Sequence, residues 1–154
     1  MTVKNKKILI LVFLTACVLP GYWLWLSLRP VAIVAVHEDG SHASVLVKAF
    51  PFTDRGKINW WLKNKDMLKK KYNIPKPSSS GYFAVIFWDF GDGYKEQGKY
   101  DRRCFTDMKP PINCIDKNSV LMVNSSKNTG TYFSLDSGTY RLNDSGKMIK
   151  NKSD

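Results

Sequence analysis

Residues 8–28 read ILILVFLTACVLPGYWLWLSL, without one charged side chain. As a helix rising 1.5 Å per residue, this stretch is about 31 Å long, the thickness of one bilayer hydrocarbon core. Twelve of its residues are Leu, Ile, Val or Phe. At roughly 0.3–0.6 kcal/mol each, these favour insertion by about 4–7 kcal/mol as an upper bound. Pro20-Gly21 works against that and predicts a kink, although both residues are tolerated in membrane helices, where freed backbone groups find other partners. Tyr22, Trp23 and Trp25 crowd the C-terminal half, as an interfacial aromatic belt does. The stretch predicts a transmembrane helix over residues 8–28.

Working outward, residues 1–7 contain Lys4, Lys6 and Lys7 and no acid, whereas Arg29 is followed by no base until Lys48. The positive-inside rule therefore expects residues 1–7 in the cytoplasm and the rest of the chain outside it. Two rival readings keep the domain outside as well. A cleaved signal peptide has a shorter apolar region ending at a small-x-small site; this one runs on into Trp, Leu and Arg. Leu14-Thr15-Ala16-Cys17 resembles a lipobox, and cleavage there leaves a lipoprotein anchored at Cys17, with an apolar continuation unusual in a tether.

The 154 residues allow one ordinary domain besides the anchor. Of the net charge of +11, residues 1–28 carry three positives, which leaves +8 on the remainder. Such a domain attracts anions: lipid headgroups, surface glycolipid phosphates or an acidic protein. Nucleic acid suits the charge but not the topology, so it is not expected as a partner.

The residue pattern predicts an α+β domain over residues 29–146, a small antiparallel sheet with one packed amphipathic helix. Val31–Val36 and Ser44–Phe50 read as a hairpin around Glu38-Asp39-Gly40-Ser41. Thr53 or Asp54 caps a helix over Lys57–Tyr72, with Ile58, Trp61, Leu62, Leu68 and Tyr72 on its core face. YFAVIFWDF, residues 82–90, is apolar on both faces, as a central strand is. Tyr94–Arg103 is expected to return as a polar strand, and Val120–Val123, Thr131–Leu135 and Thr139–Leu142 as further short ones. Residues 147–154 are lysine-rich and expected to form a flexible basic tail.

Cys104 and Cys114 are the domain's only cysteines, and outside the cytoplasm they predict a disulfide. Two cysteines with no histidine nearby make an incomplete zinc set. Asp89, Asp92 and Glu96 flank two glycines but lack the alternating oxygens of an EF-hand, and read as a hairpin turn. His37 and His42 beside Glu38 and Asp39 could bind metal, although turn histidines are more often simply exposed. No motif indicates nucleophilic catalysis, so the expectation is a non-enzyme with no metal and no cofactor. Trp60, Lys63, Lys69, Lys70 and Lys71 form the candidate interface, on a basic helix that could meet an anionic surface or a protein.

Several stretches carry a family resemblance: Leu26-Ser27-Leu28-Arg29-Pro30, Val36-His37-Glu38-Asp39-Gly40, Pro51-Phe52-Thr53-Asp54, Gly56-Lys57-Ile58-Asn59-Trp60-Trp61-Leu62, Phe87-Trp88-Asp89-Phe90-Gly91-Asp92-Gly93-Tyr94 and Asn113-Cys114-Ile115-Asp116-Lys117-Asn118. Through them most of the chain resembles a family of enterobacterial membrane proteins, a domain of unknown function. The resemblance implies a bacterial inner-membrane protein with a short N-terminal anchor, and brings no catalytic residues with it. The expectation is a single-pass protein presenting a basic periplasmic binding domain, of a kind that suits an immunity protein against a toxin acting in the periplasm or membrane. The alternative is an accessory subunit of an envelope complex, contacted through its transmembrane helix.

Overall fold

The computed structural model describes residues 2–152. Met1 of the basic N-terminal segment, and Ser153 and Asp154 at the end of the expected tail, lie outside them. The chain divides into two compact units, Met1–Pro30 and Val31–Asp154.

The first unit is helix α1, Val3–Leu28. It starts before the apolar stretch and takes in Lys4, Lys6 and Lys7, since lysine is a good helix former and the first turn needs no carbonyl partners upstream. Pro20 lies inside it, and none of its residues is buried. The hydroxyls of Thr15 and Ser27 donate to the carbonyls of Leu11 and Trp23 at 2.9 and 2.8 Å, so neither polar group asks for an outside partner. Arg29 ends the helix in an extended conformation, as the residue before Pro30 must.

The second unit is α+β. Strands β1 (Ala32–Asp39) and β2 (His42–Lys48) form the expected hairpin. Helix α2 (Asp54–Tyr72) follows, its N-cap Thr53 accepting a hydrogen bond from the Gly56 amide at 3.0 Å. Asn73 ends it in the left-handed region, φ 56°. Strand β3 (Phe83–Asp89) then lies parallel to β2, with Leu46 beside Trp88. This pair departs from the all-antiparallel expectation: a 19-residue helix carries the chain back to the end from which β2 began, so β3 must run the same way.

Strands β4 (Lys95–Glu96), β5 (Arg102–Cys104) and β6 (Ile112–Asp116) form a separate sheet in the order β4-β6-β5. The expected single strand over 94–103 is thus two short strands split by a turn, and neither pairs with β3. Strands β7 (Ser119–Ser126), β8 (Gly130–Leu135), β9 (Gly138–Leu142) and β10 (Met148–Lys150) complete the main sheet, ordered β1-β2-β3-β7-β8-β9-β10. Strand β10 takes up Met148–Lys150, which the sequence reading places in a flexible tail over 147–154. Met148, Ile149 and Lys150 pair with Leu142, Arg141 and Tyr140, because β9 offers an open edge whose backbone groups need partners.

The main sheet is covered on both faces at its centre. On one face, Ile58, Trp61 and Leu68 of α2 meet Val45, Val47, Val85, Phe87, Leu121, Val123 and Phe133. On the other, Leu46 packs with Phe105 and Ile115 of the small-sheet unit, with Trp88, Phe90 and Tyr94 around them. Residues 82–90 are apolar on both faces, Asp89 apart, because Val85 and Phe87 enter one core and Trp88 and Phe90 the other.

Candidate functional site

His37 occupies the join between the two sheets. It stands near the end of β1, on the face away from α2. Its Nδ1 lies 2.9 and 2.7 Å from the two carboxylate oxygens of Asp107, and its Nε2 lies 2.9 Å from the Tyr94 hydroxyl. The carboxylate only accepts, so Nδ1 donates to it, while Nε2 pairs with the Tyr94 hydroxyl. The ring also stacks on Phe105, centroids 3.9 Å apart. Burial, and then the charge of Asp107, push the Tyr94 hydroxyl above its usual value, so it is a hydrogen-bond donor and not an activated nucleophile. The other nearby hydroxyl, on Ser44, is buried and accepts from the Trp88 indole at 3.2 Å. Chemically, the arrangement is an oriented imidazole that clasps the small sheet to β1.

The residues that complete this cluster are not legible from spacing. Asp107, Phe105 and Tyr94 lie 57–70 positions from His37, and only the second sheet brings them there. The Cys104–Cys114 bond contributes directly, since it closes the loop holding Phe105 and Asp107. It joins facing residues of β5 and β6. His42 does not join His37; its ring lies 5.6 Å from that of Tyr82.

Among the described residues, no group of three or more His, Cys, Asp or Glu is placed to hold a metal. Asp89 accepts from the Gly91 amide and the Asn118 side chain, while Asp92 faces Lys95; with Glu96 they form no common site. Lys95 is shared with Asp116. The hydrogen bond from Lys95, and then that from Arg102, hold the Asp116 carboxyl below its ordinary value.

Trp60 is partly buried, with its ring 5.3 Å from Phe50 and 5.6 Å from Phe87. It supports the core more than it projects from it. Lys63, Lys69, Lys70 and Lys71 are exposed along α2. Beside that helix, a groove of about 420 Å³ runs between Trp61, Leu62, Lys65 and Lys69 on one side and Phe83, Phe133 and Leu142 on the other. Cys17 is a free, exposed thiol on α1.

Residues 2–152 match the model of the family described as "Enterobacterial putative membrane protein (DUF943)". The chain belongs to this family. The match spans both α1 and the α+β domain, and the family description agrees with the one helix among the described residues that is long and apolar enough to cross a membrane. Together they fit a single-pass membrane protein. No curated protein and no solved structure matches the chain.

Proposed function

We propose that this chain is a membrane-tethered binding module, not an enzyme, which captures an acidic protein on the outer face of α2. The observation that carries this reading is where the charge sits. Residues 54–72 hold seven basic side chains and two acids, a net +5, whereas the whole of residues 31–154 nets only +7. Most of the domain's excess charge is therefore on one helix. Lys63, Lys65, Lys69, Lys70 and Lys71 are exposed, and among the described residues none of them makes an ion pair. Elsewhere Lys76, Lys95, Arg102 and Lys117 are matched to acids, and the bases that are not are spread along the chain instead of gathered on one helix. A row of unmatched lysines repels itself, by a few tenths of a kcal/mol per neighbouring pair on a helix, and steers an oppositely charged partner.

Three further features suit a non-catalytic domain in the periplasm, where we read its role as that of an immunity protein neutralising a toxin. The lysines before the apolar stretch favour a periplasmic domain. The disulfide suits an oxidising compartment. The clasp at His37 presents no nucleophile. Helix α1 is apolar on every side, which supports an anchor in lipid over a seam for a larger envelope complex.

The test is capture from detergent extracts by the full chain and by its Lys63→Glu/Lys69→Glu/Lys70→Glu/Lys71→Glu variant. The native chain should recover one acidic protein in stoichiometric amount, released by salt, and the variant should not. Salt-dependent binding to anionic phosphatidylglycerol vesicles with no protein recovered would replace the partner with lipid.

A further inference from the structure

The face of the main sheet opposite α2 is only half covered by the small sheet. Where cover stops, a cleft opens of about 420 Å³, lined by Ile86, Trp88, Ser44, His42, Arg103 and Lys117. A narrower cavity of about 100 Å³, lined by His37 and Asp107, shares Asp39, His42, Ser44 and Arg103 with it. Arg103 lines both parts.

Arg103 is placed there by strand alternation. It faces Ile115 across β5 and β6, and so shares the inward face with Ile115 and with Phe105, both in the core against Leu46. Two residues before Phe105, the chain has left that core, and the guanidinium emerges into the cleft with its carbon 5.8 Å from the Phe105 ring centroid. Its Nε is buried without a protein hydrogen-bond partner. Among the described residues, Arg103 makes no ion pair, whereas its neighbour Lys117 is bound to Asp101. The Nε has no open surface, so a ligand in the cleft meets the Nη end, where a carboxylate accepts two hydrogen bonds from a guanidinium that no acid matches.

We infer that this cleft binds a small carboxylate with an apolar body, the anion held on Arg103 and the body lying along Ile86 and Trp88. The second acid-base feature of the cleft selects the anion's charge. Asp39 lines both parts of it, which disfavours a dianionic phosphate and tolerates a monoanion. Trp88 is fixed by its hydrogen bond to Ser44, so the apolar wall is preorganised. The site is independent of the α2 surface, which lies on the opposite face of the sheet.

The experiment follows the Arg103 Nε–H resonance by nitrogen-15 NMR, using the full chain in nanodiscs of zwitterionic lipid. Benzoate is the probe; benzamide and inorganic phosphate are the comparators. Benzoate should shift the resonance saturably, and benzamide at equal concentration should not. Arg103→Lys should weaken binding by about ten- to a hundredfold, the loss of one charge-assisted pair. Ile86→Trp fills the cleft while leaving Arg103 intact, and should abolish the Trp88 indole response to benzoate. Equal responses to benzoate and benzamide, no response to benzoate, or tighter binding of phosphate would each overturn the assignment.

Discussion

Nδ1 of His37 lies 2.7 Å from Oδ2 of Asp107, 70 positions away in the chain. The imidazole is 10% exposed, so this contact is nearly sealed from solvent on the histidine side, while the carboxylate is half exposed. With the Tyr94 hydrogen bond and the stack on Phe105, it makes His37 the main polar tie between the two sheets. His37→Ala removes two hydrogen bonds and one ring stack and leaves Tyr94 without its partner. The expected loss is about 2–3 kcal/mol, read as a lowered urea midpoint. A change below about 0.5 kcal/mol would show that the tie contributes nothing beyond an ordinary surface site.

Reduction of the Cys104–Cys114 bond, or a double Cys→Ser variant, frees an 11-residue loop counting both ends, since the cysteines are ten positions apart. The entropy model gives about 3 kcal/mol for that closure. The loss should be local. Hydrogen exchange should rise across Arg102–Asp116 and stay unchanged across β2, β3 and β7. Uniform loss of protection would mean that the small sheet does not open separately.

Asp54 gives the domain a defined acid limb. Hydrogen bonds from Ser137 and then Tyr140 hold its carboxyl below the ordinary value, and the Tyr140 hydroxyl lies 2.8 Å from Oδ2. A lowered folded value means the unfolded state binds the proton first as pH falls. The contribution is therefore complete at neutral pH, begins to fade near pH 4, and is gone below the folded value. Asp54→Asn should flatten the loss of urea stability over this range, and Tyr140→Phe should flatten it partly. An unchanged acid limb in both variants would remove Asp54 from the account.

Ala49 sits at φ 58°, a left-handed conformation that costs an L-residue about 1–2 kcal/mol. Glycine removes that cost but loses more entropy on folding, by about 0.5–1 kcal/mol. Ala49→Gly should therefore raise stability by about 0.5 kcal/mol in denaturant unfolding. A clear loss would mean that the alanine methyl carries packing that outweighs its strain.

The elements most readable from sequence are those whose signals are local. The Thr53 cap, the 3–4 residue spacing of Ile58, Trp61 and Leu68, and the alternation in β7 through β9 all lie within a few positions of one another. Strand β10 is not legible in the sequence, because lysine-rich composition says nothing about an open edge next door. The residues 94–103 misled because a polar run does not state which sheet will accept it. At His37, the histidine was visible and its three partners were not.

From sequence alone came the uncharged span over 8–28, the single helix over the domain, the apolar strand at 82–90, the cysteine pair and the family. Each rests on solvent preference or local backbone geometry, which neighbouring residues are enough to express. Only the tertiary structure decided that β2 and β3 run parallel, that β4, β5 and β6 form a sheet of their own, and that Arg103 and His37 meet a common cleft. Those relationships join residues tens of positions apart. They arise from how two cores share one sheet, and no short stretch of chain contains that information.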